Sequence, residues 1–299
     1  MNKFENIWNF TKMHGIGNDF IVLDAINQLI HITPKRVRLL ANRNFGIGAD
    51  QILLVEKAIN PSADFRYRIF NSDGMEVENC GNGARCFAKF IYDQKLSNKD
   101  LLRVEIKNNV ILLKSDFNKE TIVNMGKISF DPLSLPFYSN KLESKIQSNE
   151  KLWIIENNDP SYDFHHVTFS ISSISNPHAV IITDDINKES VQKIGSFLQS
   201  HKCFPNSVNV GFMKIKDRNS IQLRVYERGV GETLSCGTGA CAAAASGIRL
   251  GLLDSPVSIC MRGGKLSVSW KENENLYMTG PAVSVFHGSI NIENLENSL

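Results

Sequence analysis

The chain has 299 residues, with 33 lysines and arginines against 31 aspartates and glutamates and a net charge of +2. That balance gives no electrostatic footprint for nucleic acid or an anionic membrane surface, and no run of ~20 apolar residues exists to span a bilayer. A length near 300 suits two domains of roughly 150 residues each, and 42% apolar residues can furnish a core for both.

In chain order, short β-branched runs bounded by turn residues predict strands over 20–24, 51–56 and 67–71. A glycine-rich turn at Cys80-Gly-Asn-Gly83 then opens a helix over 83–92. Strands are expected at 101–106 and 110–114. Residues 134–166 are rich in Ser, Asn, Lys and Glu, with Pro132, Pro136 and Pro160 in or beside them. They are expected to form an irregular linker at a domain boundary. Beyond it, strands at 221–226, 257–261 and 265–270 flank a second helix at 239–249. That helix is small and apolar nearly all round, which predicts burial inside sheet. The tail 293–299 is expected to fray. Strands around one buried helix, twice over, give an α+β class.

The chain also repeats itself. Arg68, Glu76 and Cys80 recur 156 residues later as Arg224, Glu232 and Cys236, and Gly81, Gly83 and Ala84 recur as Gly237, Gly239 and Ala240. A fainter echo at an offset of 158 relates Asn18 to Asn176 and Gln51 to Asn209. Each half thus carries two amides and one Cys-Gly loop.

Six cysteines include no Cys-x-x-Cys and no zinc-finger spacing. The segment Met1 to Trp8 lacks the apolar core of a signal peptide, so the cytoplasm, where thiols stay reduced, is the expected compartment. Any single free cysteine is more often a buried small hydrophobe than a reactive group. Cys80 and Cys236 differ because each stands where a turn enters a helix. Unpaired N–H groups and the positive helix end stabilise a thiolate there and lower its pKa. The glycines let an anionic ligand approach those N–H groups. Two such loops facing each other suit inversion at a carbon next to a carboxylate: one thiolate removes the proton and the opposite thiol returns one. No phosphate-binding loop occurs, and Gly237-Thr-Gly-Ala-Cys-Ala242 is only a weak dinucleotide signal because ten residues separate it from the strand before it.

On these residues the chain resembles the diaminopimelate epimerase family. The matching segments are Met13-His-Gly-Ile-Gly-Asn-Asp-Phe20, Arg68-Ile-Phe-Asn-Ser-Asp-Gly74, Glu78-Asn-Cys-Gly-Asn-Gly-Ala-Arg-Cys-Phe87, Ser175-Asn-Pro-His-Ala179 and Val208-Asn-Val-Gly-Phe-Met213. Arg224-Val-Tyr-Glu-Arg-Gly229, Gly231-Glu-Thr-Leu-Ser-Cys-Gly-Thr-Gly-Ala-Cys-Ala242 and Leu276-Tyr-Met-Thr-Gly-Pro-Ala282 match as well. The resemblance runs from about Phe10 to about Ile292. It implies two pseudo-symmetric domains, each a mostly antiparallel, barrel-like sheet around a central helix. The expected division is 8–135, joined by a C-terminal strand at about 281–299, and 136–280.

It further implies a cofactor-independent, metal-free epimerase interconverting LL- and meso-2,6-diaminopimelate, for lysine and peptidoglycan-precursor synthesis. Cys80 and Cys236 fall on the catalytic pair, Cys80 as donor and Cys236 as acceptor for the LL isomer. Substrate contacts carry over to Asn18, Gln51, Asn71, Gly81, Asn82, Asn176, Asn209, Glu227, Arg228, Gly237 and Thr238, with His178 in support. Arg228 can grip the distal carboxylate in two places, Glu227 can pair with an ammonium, and the amides can serve either group. Asn or Gln taken alone often serves only turns. His14, Cys86, Cys203, Cys241 and Cys260 are left as structural. A homodimer is implied, although Phe286 stands where the family often has an interface Tyr. No nucleic acid or membrane partner is implied. Rival readings are a proline or hydroxyproline racemase of the same fold, a thiol redox protein working through a Cys80–Cys236 disulfide, and a non-catalytic anion-binding module.

Overall fold

The computed structural model describes residues 6–77, 81–115, 120–187 and 190–297. The fold is α+β and dominated by sheet, and the chain divides into two compact units, Met1–Asn124 with Thr279–Leu299, and Met125–Met278. The first unit opens with β1 (Ile7–Gly15), β2 (Asn18–Asp24), α1 (Pro34–Ala41), β3 (Gln51–Lys57), β4 (Phe65–Asn71) and β5 (Glu76–Val77). It continues with α2 (Gly81–Asp93), β6 (Leu101–Glu105), β7 (Val110–Ser115) and β8 (Thr121–Gly126). The second unit holds β9 (Glu143–Gln147), β10 (Glu150–Glu156), β11 (His166–Ser173), β12 (Pro177–Ile182), α3 (Val191–Ser200), β13 (Asn209–Asp217) and β14 (Ser220–Glu227). After these come β15 (Gly231–Thr233), α4 (Gly237–Arg249), β16 (Val257–Met261), β17 (Gly264–Ser269) and β18 (Leu276–Gly280). The chain then returns to the first unit as β19 (Val283–Asn291), antiparallel to β1, and α5 (Ile292–Asn297).

The internal repeat is a repeat of strand register. In the first unit β2 and β3 run parallel with Phe20 opposite Gln51; in the second, β12 and β13 run parallel with His178 opposite Asn209. Ile69 faces Val77 across β4 and β5, as Val225 faces Thr233 across β14 and β15. Both β4 and β14 also take a parallel partner, β6 and β16. A parallel pair needs a long crossover, which α1 and α3 provide. Neither helix stands out by periodicity because both are short. The cue for α1 is local: Thr33 caps its start by accepting from the Arg36 N–H at 3.3 Å, and Pro34 follows in the first turn.

Each unit wraps its sheet around one buried helix. In α2 the run from Gly81 to Ala88 is buried, with Phe90 and Ile91. In α4 every residue from Gly239 to Gly247 is buried, and its small side chains admit β11, β12 and β13 at close range. Outside the sheet, α1 and α5 close a core with Trp8, Phe10, Ile21, Leu23 and Ile52 in the first unit. In the second, Phe137, Trp153, Phe169, Phe204 and Phe212 share a core with α3.

Two expectations are corrected. Residues 134–166 are no irregular linker, since they carry β9 and β10, and β10 pairs with β11 so that Trp153 and Ile155 enter the core. Only a four-residue apolar run marks this in the sequence, hidden among polar neighbours. The C-terminal tail does not fray as far as Asn297: Ile292 and Leu295 are buried in the first core and Glu296 pairs with Arg36 at 3.0 Å. Among the described residues no helix is long and apolar enough to cross a membrane.

Arg249, in the last turn of α4, anchors β10. Its Nε donates to Glu150 Oε2 at 2.5 Å, Nη1 donates to Glu272, Nη2 donates to the Asn149 carbonyl, and its guanidinium lies 4.3 Å from the Phe130 ring centroid. Glu150 is 2% exposed, and burial pushes its carboxyl up to about 7 although Arg249 pulls it down. A carboxyl raised in the folded state binds more protons there than in the unfolded chain between its two pKa values. The resulting destabilisation is therefore absent below about pH 4.5, grows as the pH rises from there, and is complete above about 7. Glu150→Gln is expected to raise the melting temperature more at pH 8.5 than at pH 5; thermal unfolding at the two pH values checks this.

Candidate active site

The expected site residues lie at equivalent strand ends and helix starts in the two units. Asn18 begins β2, Gln51 begins β3, Asn71 ends β4, and Gly81 and Asn82 open α2. In the second unit Asn176 precedes β12, Asn209 begins β13, Glu227 ends β14, and Gly237 and Thr238 open α4. Cys80 lies outside the described residues.

In the first unit Gln51 and Asn71 face each other across β3 and β4, and Gln51 Nε2 donates to Asn71 Oδ1 at 2.8 Å. The other amide atom, Gln51 Oε1, is buried with no protein partner. A buried acceptor left unpaired is costly unless something donates to it. Asn82 Nδ2 donates to Asn18 Oδ1 at 3.3 Å, and Asn18 Nδ2 donates to Asp50 Oδ2 at 3.0 Å. Behind them the fully buried Arg85 donates through Nη2 to Asn82 Oδ1 at 2.9 Å and through Nε to the Pro281 carbonyl at 3.2 Å. Arg85 was not among the expected site residues. On a helix that also carries Lys89, its charge gave no signal in the sequence.

In the second unit Cys236 caps α4. Its sulfur accepts from the Gly239 N–H at 3.4 Å and lies 3.5 Å from Thr238 Oγ1. The residue is 5% exposed. Burial first, then the facing Glu227 carboxylate, pushes this thiol well above its ordinary pKa, and the Thr238 and Gly239 donors only partly offset them. The sequence expectation of a lowered thiol pKa is thus reversed for Cys236. The helix-start donors are present, but desolvation and a neighbouring anion outweigh them. Glu227, expected to pair with a ligand ammonium, has its carboxylate beside the cysteine sulfur and accepts from Thr233 Oγ1 at 2.6 Å.

The remaining residues form two clusters. His178 is 1% exposed, and burial, with Arg228 second, lowers its pKa to about 3. It is therefore neutral. Because Asn176 Oδ1 can only accept, Nε2 carries the proton and donates to it at 3.0 Å. That orients the Asn176 amide so that Nδ2 donates to Thr238 Oγ1 at 3.4 Å. Asn209 is engaged with main chain: Nδ2 donates to the Pro177 carbonyl at 3.1 Å, and Oδ1 accepts from the Arg228 N–H at 2.9 Å. The exposed Arg228 guanidinium reaches the Asn206 carbonyl at 3.1 Å.

The diaminopimelate epimerase family model matches residues 10–130 and 170–285, leaving the β9–β10 segment between the matched stretches. Diaminopimelate epimerase of Cupriavidus metallidurans is 50% identical over 287 residues, 96% of this chain and 98% of that protein. That of Nitrosomonas europaea is 51% identical over 284 residues, 95% and 98% of the two chains. Among solved structures, a hydroxyproline epimerase from Agrobacterium vitis superposes with a TM-score of 0.66 at 13% identity, covering 96% of this chain and 93% of that one. A phenazine biosynthesis protein of the PhzF family from Enterococcus faecalis gives 0.61 at 16% identity, with 95% and 99% covered. These two share the fold. With half its residues identical to those relatives over nearly its whole length, the chain belongs to the diaminopimelate epimerase family and is an isomerase of the epimerase kind.

Proposed function

We propose that the protein interconverts LL- and meso-2,6-diaminopimelate by proton transfer at one α-carbon, without a cofactor, with Cys80 and Cys236 as the two acid–base groups. The observation that carries this reading is Cys236 itself. A buried sulfur caps the central helix, beside a carboxylate and next to the N–H groups of Gly237 and Thr238.

Inversion requires a proton to leave one face of the α-carbon and another to arrive on the opposite face. In the meso-to-LL direction the Cys80 thiolate takes the Cα proton, the C–H electron pair moves toward the carboxylate, and the Cys236 thiol delivers its proton to the other face. Cys80 then holds the proton and Cys236 the charge, which is the starting form for the reverse reaction. Burial and Glu227 keep Cys236 as the thiol, so it is poised as the donor. The form that starts the opposite direction is reached from the resting thiol when Cys236 gives its proton to Glu227 and the Cys80 thiolate takes one from solvent. Main-chain N–H groups of Gly81, Asn82, Gly237 and Thr238 hold the reacting carboxylate as charge builds on it. Gln51 Oε1 is an acceptor for an ammonium, and Arg228 a partner for the distal carboxylate. Asn18, Asn71, Asn176 and Asn209 frame the ligand, and neutral His178 supports them by fixing the Asn176 amide. The product serves lysine and peptidoglycan-precursor synthesis.

Purified protein given LL-diaminopimelate and a chelator is expected to form the meso isomer while leaving proline and trans-4-hydroxyproline unchanged. Racemisation of proline with diaminopimelate untouched would contradict the substrate assignment. We also propose a homodimer formed through β19, which exposes Val283, Val285 and Phe286. Phe286→Glu is expected to yield a monomer in sedimentation velocity, and an unchanged sedimentation coefficient would remove β19 from the interface.

A further inference from the structure

Glu227 can govern Cys236 only if its carboxylate stays turned toward the sulfur. It is half-buried at the end of β14, and an anion in that position gains hydration by swinging outward. The Thr233 hydroxyl opposes this by donating to Glu227 Oε1 at 2.6 Å. Thr233 is itself fixed. It ends β15 opposite Val225 of β14. Its neighbour Glu232 is clamped by Arg224, with Nε to Oε1 at 2.8 Å and Nη2 to Oε2 at 2.9 Å.

The internal repeat separates what the fold needs from what the chemistry needs. The clamp occurs in both units, since Arg68 grips Glu76 through Nε at 2.9 Å and Nη2 at 2.7 Å. The hydroxyl–carboxylate pair occurs in one. At the equivalent places the first unit has Val77 for Thr233 and Asn71 for Glu227. A strand pair of this geometry is therefore built without a hydroxyl at that position, and the hydroxyl accompanies the carboxylate.

We infer that Thr233 is a positioning residue for the epimerisation. Its hydroxyl holds the Glu227 carboxylate against the Cys236 sulfur, so that this carboxylate, and not one turned to water, exchanges the thiol proton. The inference rests on the proposed role of Glu227.

The test compares Thr233→Val, Thr233→Ser and Glu227→Gln by steady-state kinetics and by the pH titration of the Cys236 Cβ resonance in [3-13C]cysteine-labelled protein. Thr233→Val keeps the β-branched shape of the strand residue. It is expected to lower kcat about tenfold, the worth of one hydrogen bond to a charged group, with KM changed less than about twofold. It should also move the Cys236 midpoint to lower pH, in the direction of Glu227→Gln, because the repelling carboxylate leaves. Thr233→Ser, which keeps the donor, is expected to restore both. An effect of Glu227→Gln with none of Thr233→Val, or failure of Thr233→Ser to restore, would overturn the inference alone. No effect of Glu227→Gln on kcat or on the midpoint would instead remove the role of Glu227 on which it stands.

Discussion

Glu227→Gln is expected to slow epimerisation by at least about 100-fold, the usual loss when a positioned acid–base group is removed, while making Cys236 easier to ionise. The two effects have one origin. Glu227 is the second-largest cause, after burial, of the raised Cys236 pKa. Removing its charge lowers the Cys236 midpoint, so more thiolate is present at any pH below it. If thiolate content alone set the rate, this variant would be faster. It is expected to be slower because Cys236 loses its proton exchange partner and because the donor form of the pair is less populated. Kinetics together with the Cys236 titration separate the two outcomes. A variant both more ionised and more active would show that Glu227 only hinders the sulfur.

The second large effect is expected from Gly83→Ala and Gly239→Ala, equivalent positions in the first turns of α2 and α4. A Cβ on Gly83 would lie 2.4 Å from Tyr67 Oη and 3.3 Å from Ile69 Cδ1 and Phe20 Cε1. Tyr67 cannot swing aside, being 1% exposed and edge-on to Phe87 at 5.0 Å between centroids. Overpacking of this kind costs about 3 kcal/mol, so Gly83→Ala should unfold at markedly lower urea concentration. At Gly239 the new Cβ would meet Val225 Cγ2 at 3.1 Å and both Cβ and Sγ of Cys236 at 3.3 Å. Here the pressure falls on the candidate catalytic sulfur. Gly239→Ala is therefore expected to lose activity out of proportion to stability, where Gly83→Ala loses stability first. Urea titration and kcat for each variant test the contrast, and equal stability losses with equal residual activity would contradict it.

Much of this was legible in the sequence because the chain states its architecture twice. The segment around Cys80 and its echo around Cys236 announced two related halves, and the registers at Gln51 and Asn209 show that even the faint upstream echo is structural. The buried helix α4 was legible from its small apolar residues. What escaped depends on proximity that spacing does not encode. Glu227 and Cys236 are nine positions apart on different elements, so neither their approach nor the resulting rise of the thiol pKa follows from helix-start reasoning. Thr233 reads as an ordinary β-branched strand residue until its hydroxyl is seen against a carboxylate. Arg85 looks like a surface charge on a helix, and burial gives it the task of fixing Asn82. The β9–β10 hairpin was missed because its apolar run is short and its polar flanks resemble a loop.

The two-thiol proposal is tested most directly by proton exchange in D2O. Reduced protein, LL-diaminopimelate and a chelator would be combined and the α-position followed by NMR. The expected result is deuterium at the inverted carbon of the meso product, with epimerisation lost in both Cys80→Ala and Cys236→Ala. Retention of epimerisation with solvent deuterium in either single variant would contradict a mechanism that needs both sulfurs.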